Sequence, residues 1–371
     1  MVMKLPNNLN ILSMGTRGAD YLLYAPNVHT GGGLVLLDAL LLAWPETLPL
    51  IAFLDDRVRA RLTISQTVKV YWVKANICSR MNAEINLRKA VDAGGTVLCF
   101  HGLPPLLRCR ASVFVFLQNR LYLENISLSH FKFKTRLRLI IERLISRLFR
   151  HHVSEYIVQT PAMQRKVLQW FGAELGHRTP PVRVFPFVDI LPDSSCITAK
   201  PKWDFVYVAD GEAHKNHRNL LAAWNLLAQD GLHPSLALTL GKHDDVLINE
   251  MENVSKQHGL HISNLGHLSK NEVIALYGNA KALIFPSTVE SFGLPLIEAT
   301  QVGLPILAPE LDYVRDICIP LQTFDPNSPV SIARAVKRFL GKPEPIVKLN
   351  TPVEFWRAML EKHENKPKCV L

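Results

Sequence analysis

The chain has no long apolar run, no metal-spaced cluster of cysteine or histidine, no internal repeat and no low-complexity tract, and each absence excludes a class of protein. Its most apolar stretch near the start, Leu34 to Trp44, is interrupted by Asp38 and is too short to span a bilayer. No apolar segment stands behind Met1-Val-Met-Lys-Leu-Pro6, so neither a secretory leader nor an anchor is expected there, and a cytoplasmic location follows by default. The six cysteines, Cys78, Cys99, Cys109, Cys196, Cys318 and Cys369, form no C-x-x-C and have no ligand-like histidine spacing. Reduced thiols are expected, several of them in core strands, rather than a zinc site or a disulfide framework. The Cys369-Val-Leu371 end lacks one residue of a prenylation box.

What is present fits a folded α/β protein. A chain of 371 residues is long for one core and suggests two domains. Hydrophobic residues at 48% and charged residues at 20% exclude a disordered chain. The net charge of +10 implies an anionic partner, whether nucleic acid, a phosphate-bearing substrate or an acidic membrane surface, and composition does not choose among them. Strand-like and helix-like runs alternate throughout, which argues for parallel sheets. Strands are expected at Tyr21 to Ala25, Lys69 to Val73, Thr96 to Phe100, Val113 to Leu117, Glu155 to Gln159 and Val182 to Val188, then at Trp203 to Ala209, Leu236 to Gly241 and up to Phe285. A Pro- and Ser-bearing stretch at 191–201 reads as a hinge between a first domain, 1–190, and a second, 202–345; residues 346–371 hold a closing helix that packs back on the first domain.

The stretch from Phe285 to Ala299 organises the rest. It reads as a buried strand end, a short loop and the opening of a helix, with Pro295 pre-set for a first turn. The free N–H groups of Phe292, Gly293 and Leu294 then form an anion site at a helix N-terminus. Glu290 and Glu298 bracket it. Carboxylates do not bind phosphate, but an ionised carboxylate accepts from a pair of neighbouring hydroxyls, as a sugar carries. Glu298 leans back toward the helix start, which suits a ribose, while Glu290 faces the other side of the phosphates. The pattern fits a nucleotide diphosphate sugar; a surface loop before an ordinary capped helix is the bland alternative.

Three glycines, Gly31, Gly32 and Gly33, follow the first strand, at a carboxyl end where ligands sit in parallel sheets. A dinucleotide site is the competing reading: Asp55 and Asp56 favour it, and Leu36 in place of the third glycine of G-x-G-x-x-G opposes it. His29 belongs to the same mouth or is a plain surface residue. His101 ends a later strand, and Gln118-Asn-Arg120 offers amide and guanidinium groups to the same cleft. Residues 130–150 carry Lys132, Lys134, Arg136, Arg138, Arg143, Arg147 and Arg150 against Glu142 alone, with Phe131, Leu137, Ile140, Ile141, Leu144, Ile145 and Leu148 at helical spacing. That is a basic amphipathic helix, suited to anionic lipid or to a core with a solvated basic face; no recognised nucleic-acid module accompanies it, and no nucleic-acid partner is expected.

The run Glu290-Ser-Phe-Gly-Leu-Pro-Leu-Ile-Glu298 resembles the Glu-x7-Glu signature of the retaining, GT-B-fold glycosyltransferases of family 4 (glycosyl transferases group 1), of the bacterial surface-polysaccharide type. Ala299, Gly303, Pro305 and Pro309-Glu310 fall where that signature continues, and the likeness is good over residues 200 to 345 and looser before. The resemblance implies two Rossmann-like domains facing a central cleft, with a nucleotide sugar on the second and a glycan or lipid-linked acceptor on the first. It implies Glu290 orienting the transferred sugar, His101 near the anomeric carbon and Lys215 on the donor phosphates. Donor contacts are carried to Glu298, Ser291, Phe292, Gly293, Leu294, Gly241, Gly266 and His267, and cleft contacts to Gly31, Gly32, Gly33 and Arg120. The family usually has an Arg just after the strand at Trp203 to Ala209; Asp210 stands there instead, and Arg218 is the candidate replacement. No Asp-x-Asp occurs, so the metal clamp of the other large glycosyltransferase fold is not encoded and no metal or other cofactor is expected. A non-catalytic glycan- or partner-binding subunit of the same fold and an NAD-dependent enzyme are the rival functions.

Overall fold

The structure, a computed structural model, describes residues 19–123, 133–172, 180–188 and 200–345, together with Thr351. Its first sheet has seven parallel strands: β1 (Ala19–Ala25), β2 (Leu50–Asp55), β3 (Val68–Val73), β4 (Val91–Cys99), β5 (Ser112–Phe116), β6 (Glu155–Val158) and β7 (Val182–Val184), in the order β3-β2-β1-β4-β5-β6-β7. Helices α1 (Gly31–Leu42), α2 (Ile77–Ala90), α3 (Phe133–Leu148) and α4 (Pro161–Gly172) connect them. The second sheet has six: β8 (Trp203–Tyr207), β9 (Leu236–Leu238), β10 (Ile262–Asn264), β11 (Ala280–Ile284), β12 (Ile306–Pro309) and β13 (Gln322–Phe324), in the order β10-β9-β8-β11-β12-β13. Around it lie α5 (His217–Gln229), α6 (Asp245–His258), α7 (Lys270–Gly278), α8 (Leu294–Gln301), α9 (Asp312–Arg315) and α10 (Pro329–Phe339).

Each sheet reverses direction of growth once, between β1 and β4 and between β8 and β11. At such a switch point the flanking loops run to opposite faces and leave a crevice at the carboxyl ends of the strands. The crevice of the first sheet is rimmed by Gly31 to Gly33 and His101, and that of the second by Lys215 and Glu290. The two crevices face each other. Phe292, Leu294 and Ile297 of the second unit pack into the apolar cluster around Leu34, Leu36 and Phe100 of the first. A separate core, built on Tyr207, Trp224, Tyr277, Phe285 and Tyr313, holds the second unit together.

Several expectations shift. The three glycines form the first turn of α1, with Thr30 as N-cap, so the expected loop is a helix start. The strand expected to reach Val188 stops at Val184; Phe185 N–H still bonds Val158 O at 2.9 Å, and Pro186, without an N–H, ends the ladder. Helix α2 was not anticipated from the sequence. Of the described cysteines only Cys99 lies in a core strand; Cys78 is exposed and Cys109 and Cys318 are half-buried, all as free thiols. The hinge apart from residues 200–201, the closing helix and the first three residues of the basic segment lie outside the described residues.

Candidate functional site

The second-unit half of the site is built from the turn after β8. Residues Ala213–Lys215 form a tight turn, and Asn216 closes it in the left-handed region at φ 63°, the only non-glycine there among the described residues. Asn216 is suited to this: its Nδ2 donates to Pro286 O at 3.1 Å and to Pro326 O at 2.7 Å, tying three loops together. The loop after β11 is fastened to the same turn, because His214 O accepts from Thr288 N–H at 2.9 Å and from Ser287 Oγ at 3.1 Å. Tyr207 OH donates to Lys215 O at 2.8 Å from below. Residues seventy-five apart in the chain are thereby aligned, and Lys215 Nζ reaches Glu290 Oε1 at 2.7 Å with both side chains mostly buried. Burial works against the Lys215 ammonium, but the Glu290 charge and hydrogen bond, with Asp210 and Glu212, outweigh it and raise its pKa above the usual lysine value. Lys215 is a fixed cation.

The departure at Asp210 stands: its carboxylate is exposed and close enough to Lys215 to reinforce that charge. Arg218 does not fill the gap in this structure. It sits on the outer face of α5, where its Nε bonds Glu250 of α6 at 3.0 Å.

The helix start expected at Gly293 is present. Gly293 is the N-cap of α8 at φ 70°, a conformation suited to glycine, and a β-carbon there would meet Leu296 Cδ1 at 3.2 Å. Pro295 occupies the first turn, as read. Glu298, one turn in, accepts from Tyr277 OH of α7 at 2.9 Å. Burial pushes the Glu298 carboxyl up, and the Tyr277 bond and nearby Lys270 pull it partly back. Tyr277 left no signal in the sequence, since a tyrosine near the end of an amphipathic helix reads as core. Gly241 and Gly266 are brought together by a residue the reading missed, Asn264. Its amide mimics a strand partner, accepting from Leu240 N–H at 2.8 Å and donating to Leu240 O at 3.1 Å, while Gly266 N–H reaches the same Oδ1 at 3.3 Å. His267 stands exposed beside them.

Across the crevice, His101 Nδ1 lies 3.2 Å from Tyr24 O. A carbonyl only accepts, so Nδ1 carries the proton and Nε2 is left as an acceptor for a hydroxyl. Burial, with Arg80 adding to it, lowers the His101 pKa to about 4, so the ring is neutral at physiological pH. Below it Tyr24 OH donates to Glu84 Oε1 at 2.8 Å, and Glu84 Oε2 accepts from Leu106 N–H at 2.9 Å, which fixes the strand end. The two halves touch at the places singled out in the sequence: Arg120 N–H donates to Ser291 Oγ at 3.0 Å, and a β-carbon on Gly32 would come within 2.9 Å of Leu294 Cδ1. At Gly33 a β-carbon would meet Gln118 Oε1 at 3.1 Å, the amide whose Nε2 holds Phe100 O at 2.9 Å. The glycines thus admit protein neighbours. Asp55, which a dinucleotide reading needs for a ribose, is fully buried and bound by Arg57 at 2.8 and 2.6 Å. Arg57 also lies 3.1 Å from His29 Nδ1.

Two facing Rossmann-like units with this crevice constitute the GT-B fold. Solved structures of the same arrangement include HepE of Anabaena in complex with UDP and glucose (TM-score 0.59, 15% identity, 87% of this chain and 90% of that one) and sucrose-phosphate synthase of Thermosynechococcus elongatus (TM-score 0.64, 16% identity, 87% and 90%). Residues 197–351, which hold Lys215, Glu290 and Glu298, match the family described as glycosyl transferases group 1. The serotype-specific mannosyltransferase WbdA of Escherichia coli is 32% identical over 140 residues, 37% of this chain and 17% of that protein. The chain therefore matches about a sixth of the length of this curated relative.

Proposed function

We propose that this protein is a glycosyltransferase that moves a hexosyl group from a nucleotide diphosphate sugar to a glycan or lipid-linked acceptor, with retention of anomeric configuration, in the manner of family 4. The observation that carries this is the Lys215–Glu290 pair at 2.7 Å beside the open N-terminus of α8, with Glu298 one turn further in. In this reading Lys215 and the N–H groups of α8 stabilise the departing diphosphate, which is the main electrostatic task of the reaction. Glu298 holds the ribose, Glu290 orients the transferred sugar and accepts the hydrogen bond from Lys215, and neutral His101 accepts from a sugar hydroxyl through Nε2. No metal is needed in this scheme. The group 1 match and the mannosyltransferase relative favour surface polysaccharide assembly, O-antigen or capsule, at the inner face of the cytoplasmic membrane, and make a mannosyl donor the first to test. An anionic membrane surface contacting residues 130–150 belongs to the same proposal.

A second reading, a binding subunit of the same fold without turnover, is favoured by Asp210, which puts a negative charge where a phosphate-binding cation is expected. Thermal shift together with a sugar-transfer assay separates the two. A ligand of the folded state raises the melting point once its concentration passes its Kd. With GDP, UDP, dTDP, CMP and NAD, each with and without EDTA, one nucleoside diphosphate is expected to stabilise the wild type regardless of EDTA and to lose its effect in Glu298→Ala. Stabilisation by NAD alone would overturn the proposal, and diphosphate binding without sugar transfer to any acceptor would move the binding subunit to the front.

A further inference from the structure

The second-unit side of the crevice is short of positive charge. Three carboxylates, Asp210, Glu212 and Glu290, stand around Lys215, and a nucleoside diphosphate brings more negative charge to the same place. His214 does not offset this, since burial and the neighbouring Lys215 lower its pKa and leave it neutral at pH 7. Arg218 does not either, because it is bound to Glu250 outside the crevice. A departing diphosphate calls for positive charge already in place, and Lys215 by itself does not balance its surroundings.

The first unit has a cation in reach. Arg120 N–H donates to Ser291 Oγ at 3.0 Å, which seats the turn Arg120–Tyr122 on the loop that carries Glu290. Tyr122 packs with Leu103 and Leu139, and Leu139 is fully buried, so α3 is fastened to that same turn. Arg138, one residue before Leu139, therefore stands at the edge of the crevice, beside Tyr122 and close enough to Glu212 of the second unit to favour its charge. Its guanidinium is not used up there. The side chain is 62% exposed, and its Nε lies 3.7 Å from Glu142 Oε2, beyond hydrogen-bond length. A guanidinium is a planar fork that takes two phosphate oxygens at once and stays charged at any working pH.

We infer that Arg138 of α3 is the second cation of the donor site, reaching across the crevice to the diphosphate where Asp210 leaves the second unit without one. This rests on the nucleotide-sugar reading proposed above and adds that the donor site is complete only with both units together. Without a donor, Arg138 stands between Glu142 on its own helix and Glu212 opposite. A diphosphate offers the fork more charge and better geometry than either carboxylate. When the bond to the anomeric carbon breaks, its electron pair stays on the diphosphate oxygen, and Arg138 and Lys215 share the charge that results.

The test is titration calorimetry of the full chain with GDP, UDP and dTDP on the wild type, Arg138→Gln, Arg138→Gln/Glu142→Gln and Arg136→Gln, with melting as the check of folding. Arg138→Gln is expected to weaken the diphosphate that the wild type binds by roughly tenfold, the worth of a charged hydrogen bond. The double variant, which also removes the carboxylate left unpaired on α3, should stay as weak, and Arg136→Gln, one base fewer on the same helix, should bind as the wild type does. Unchanged binding in Arg138→Gln would overturn the inference and leave the nucleotide-sugar reading standing. Recovery in the double variant would overturn it too, since Arg138 would then act only by holding Glu142. An equal loss in Arg136→Gln would overturn it in favour of the general field of the helix. A wild type that binds none of the three diphosphates would overturn both the inference and the reading beneath it.

Discussion

At the scale of single residues, the site depends on a cation and a carboxylate that hold each other out of water. Lys215→Met leaves Glu290 mostly buried without its counter-charge, which is expected to cost roughly 3 kcal/mol of stability and to slow transfer by roughly a hundredfold. Adding Glu290→Gln should restore the stability, measured by urea denaturation, and leave turnover low, since the pair and not its burial serves the reaction. Asp210 acts in the opposite sense. Its charge strengthens the Lys215 ammonium but repels a diphosphate, so Asp210→Asn is expected to tighten nucleoside diphosphate binding several-fold, about 1 kcal/mol at the effective dielectric of a protein surface. Titration calorimetry checks it; weaker binding would show that Asp210 serves by orienting Lys215.

At the scale of elements, one helix is completed by the other half of the molecule. The first turn of α4 uses Thr160 Oγ1 for Met163 N–H at 3.2 Å, but Ala162 N–H is satisfied by Asp316 of the second unit at 2.8 Å, with Arg165–Asp312 at 3.4 Å beside it. A carboxylate at a helix N-terminus is favoured by the free N–H groups and by the dipole together. Asp316→Ala is therefore expected to lose about 1 kcal/mol and also to loosen the two halves, seen as a larger radius of gyration in solution scattering. Thr160→Ala removes a cap from the same helix without touching the other half, and should cost similar stability with no change in radius. The α3 reading shows the limit of periodicity at this scale. The spacing of Leu137, Ile141, Leu144 and Leu148 identified an amphipathic helix, yet these side chains stand exposed while Leu139, Glu142 and Ser146 are buried, and spacing alone does not say which side packs.

At the scale of the whole molecule, folding excludes two histidines from protonation. His217 is buried against the Tyr207 ring, with centroids 4.8 Å apart, and burial lowers its pKa to about 3, as it lowers His101 to about 4. Both protonate near pH 6.5 in the unfolded chain. Between that value and their folded pKa values the unfolded state binds more protons, so stability is fully present above about pH 6.5 and is lost as the pH falls toward 4. The slope is at most about 1.4 kcal/mol per pH unit for each histidine. Glu84 and Glu298, pushed up by burial, act with the opposite sign, so the histidine contribution is read as a difference. His217→Phe keeps the ring contact and should flatten the melting-point profile between pH 6.5 and 5 relative to wild type; parallel profiles would mean that His217 is hydrated.

The amino-acid sequence by itself determined the local parts. The alternation of strand and helix runs, the Gly293–Pro295 helix start, and the eight-residue interval from Glu290 to Glu298 are all set by bonds and spacings within a few residues, and the structure reproduces them. It also carried Lys215-Asn216 as one unit, which the left-handed Asn216 explains. Tertiary structure alone decided which distant groups meet: Lys215 with Glu290, Tyr277 with Glu298, Asn264 with Leu240, Arg120 with Ser291, and Arg218 with Glu250 instead of the cleft. Those pairings depend on sheet order and on which loops share a crevice. Period and propensity report only which side of an element is apolar; the partner across a gap of tens of residues is chosen by packing and by the cost of leaving a buried polar group alone.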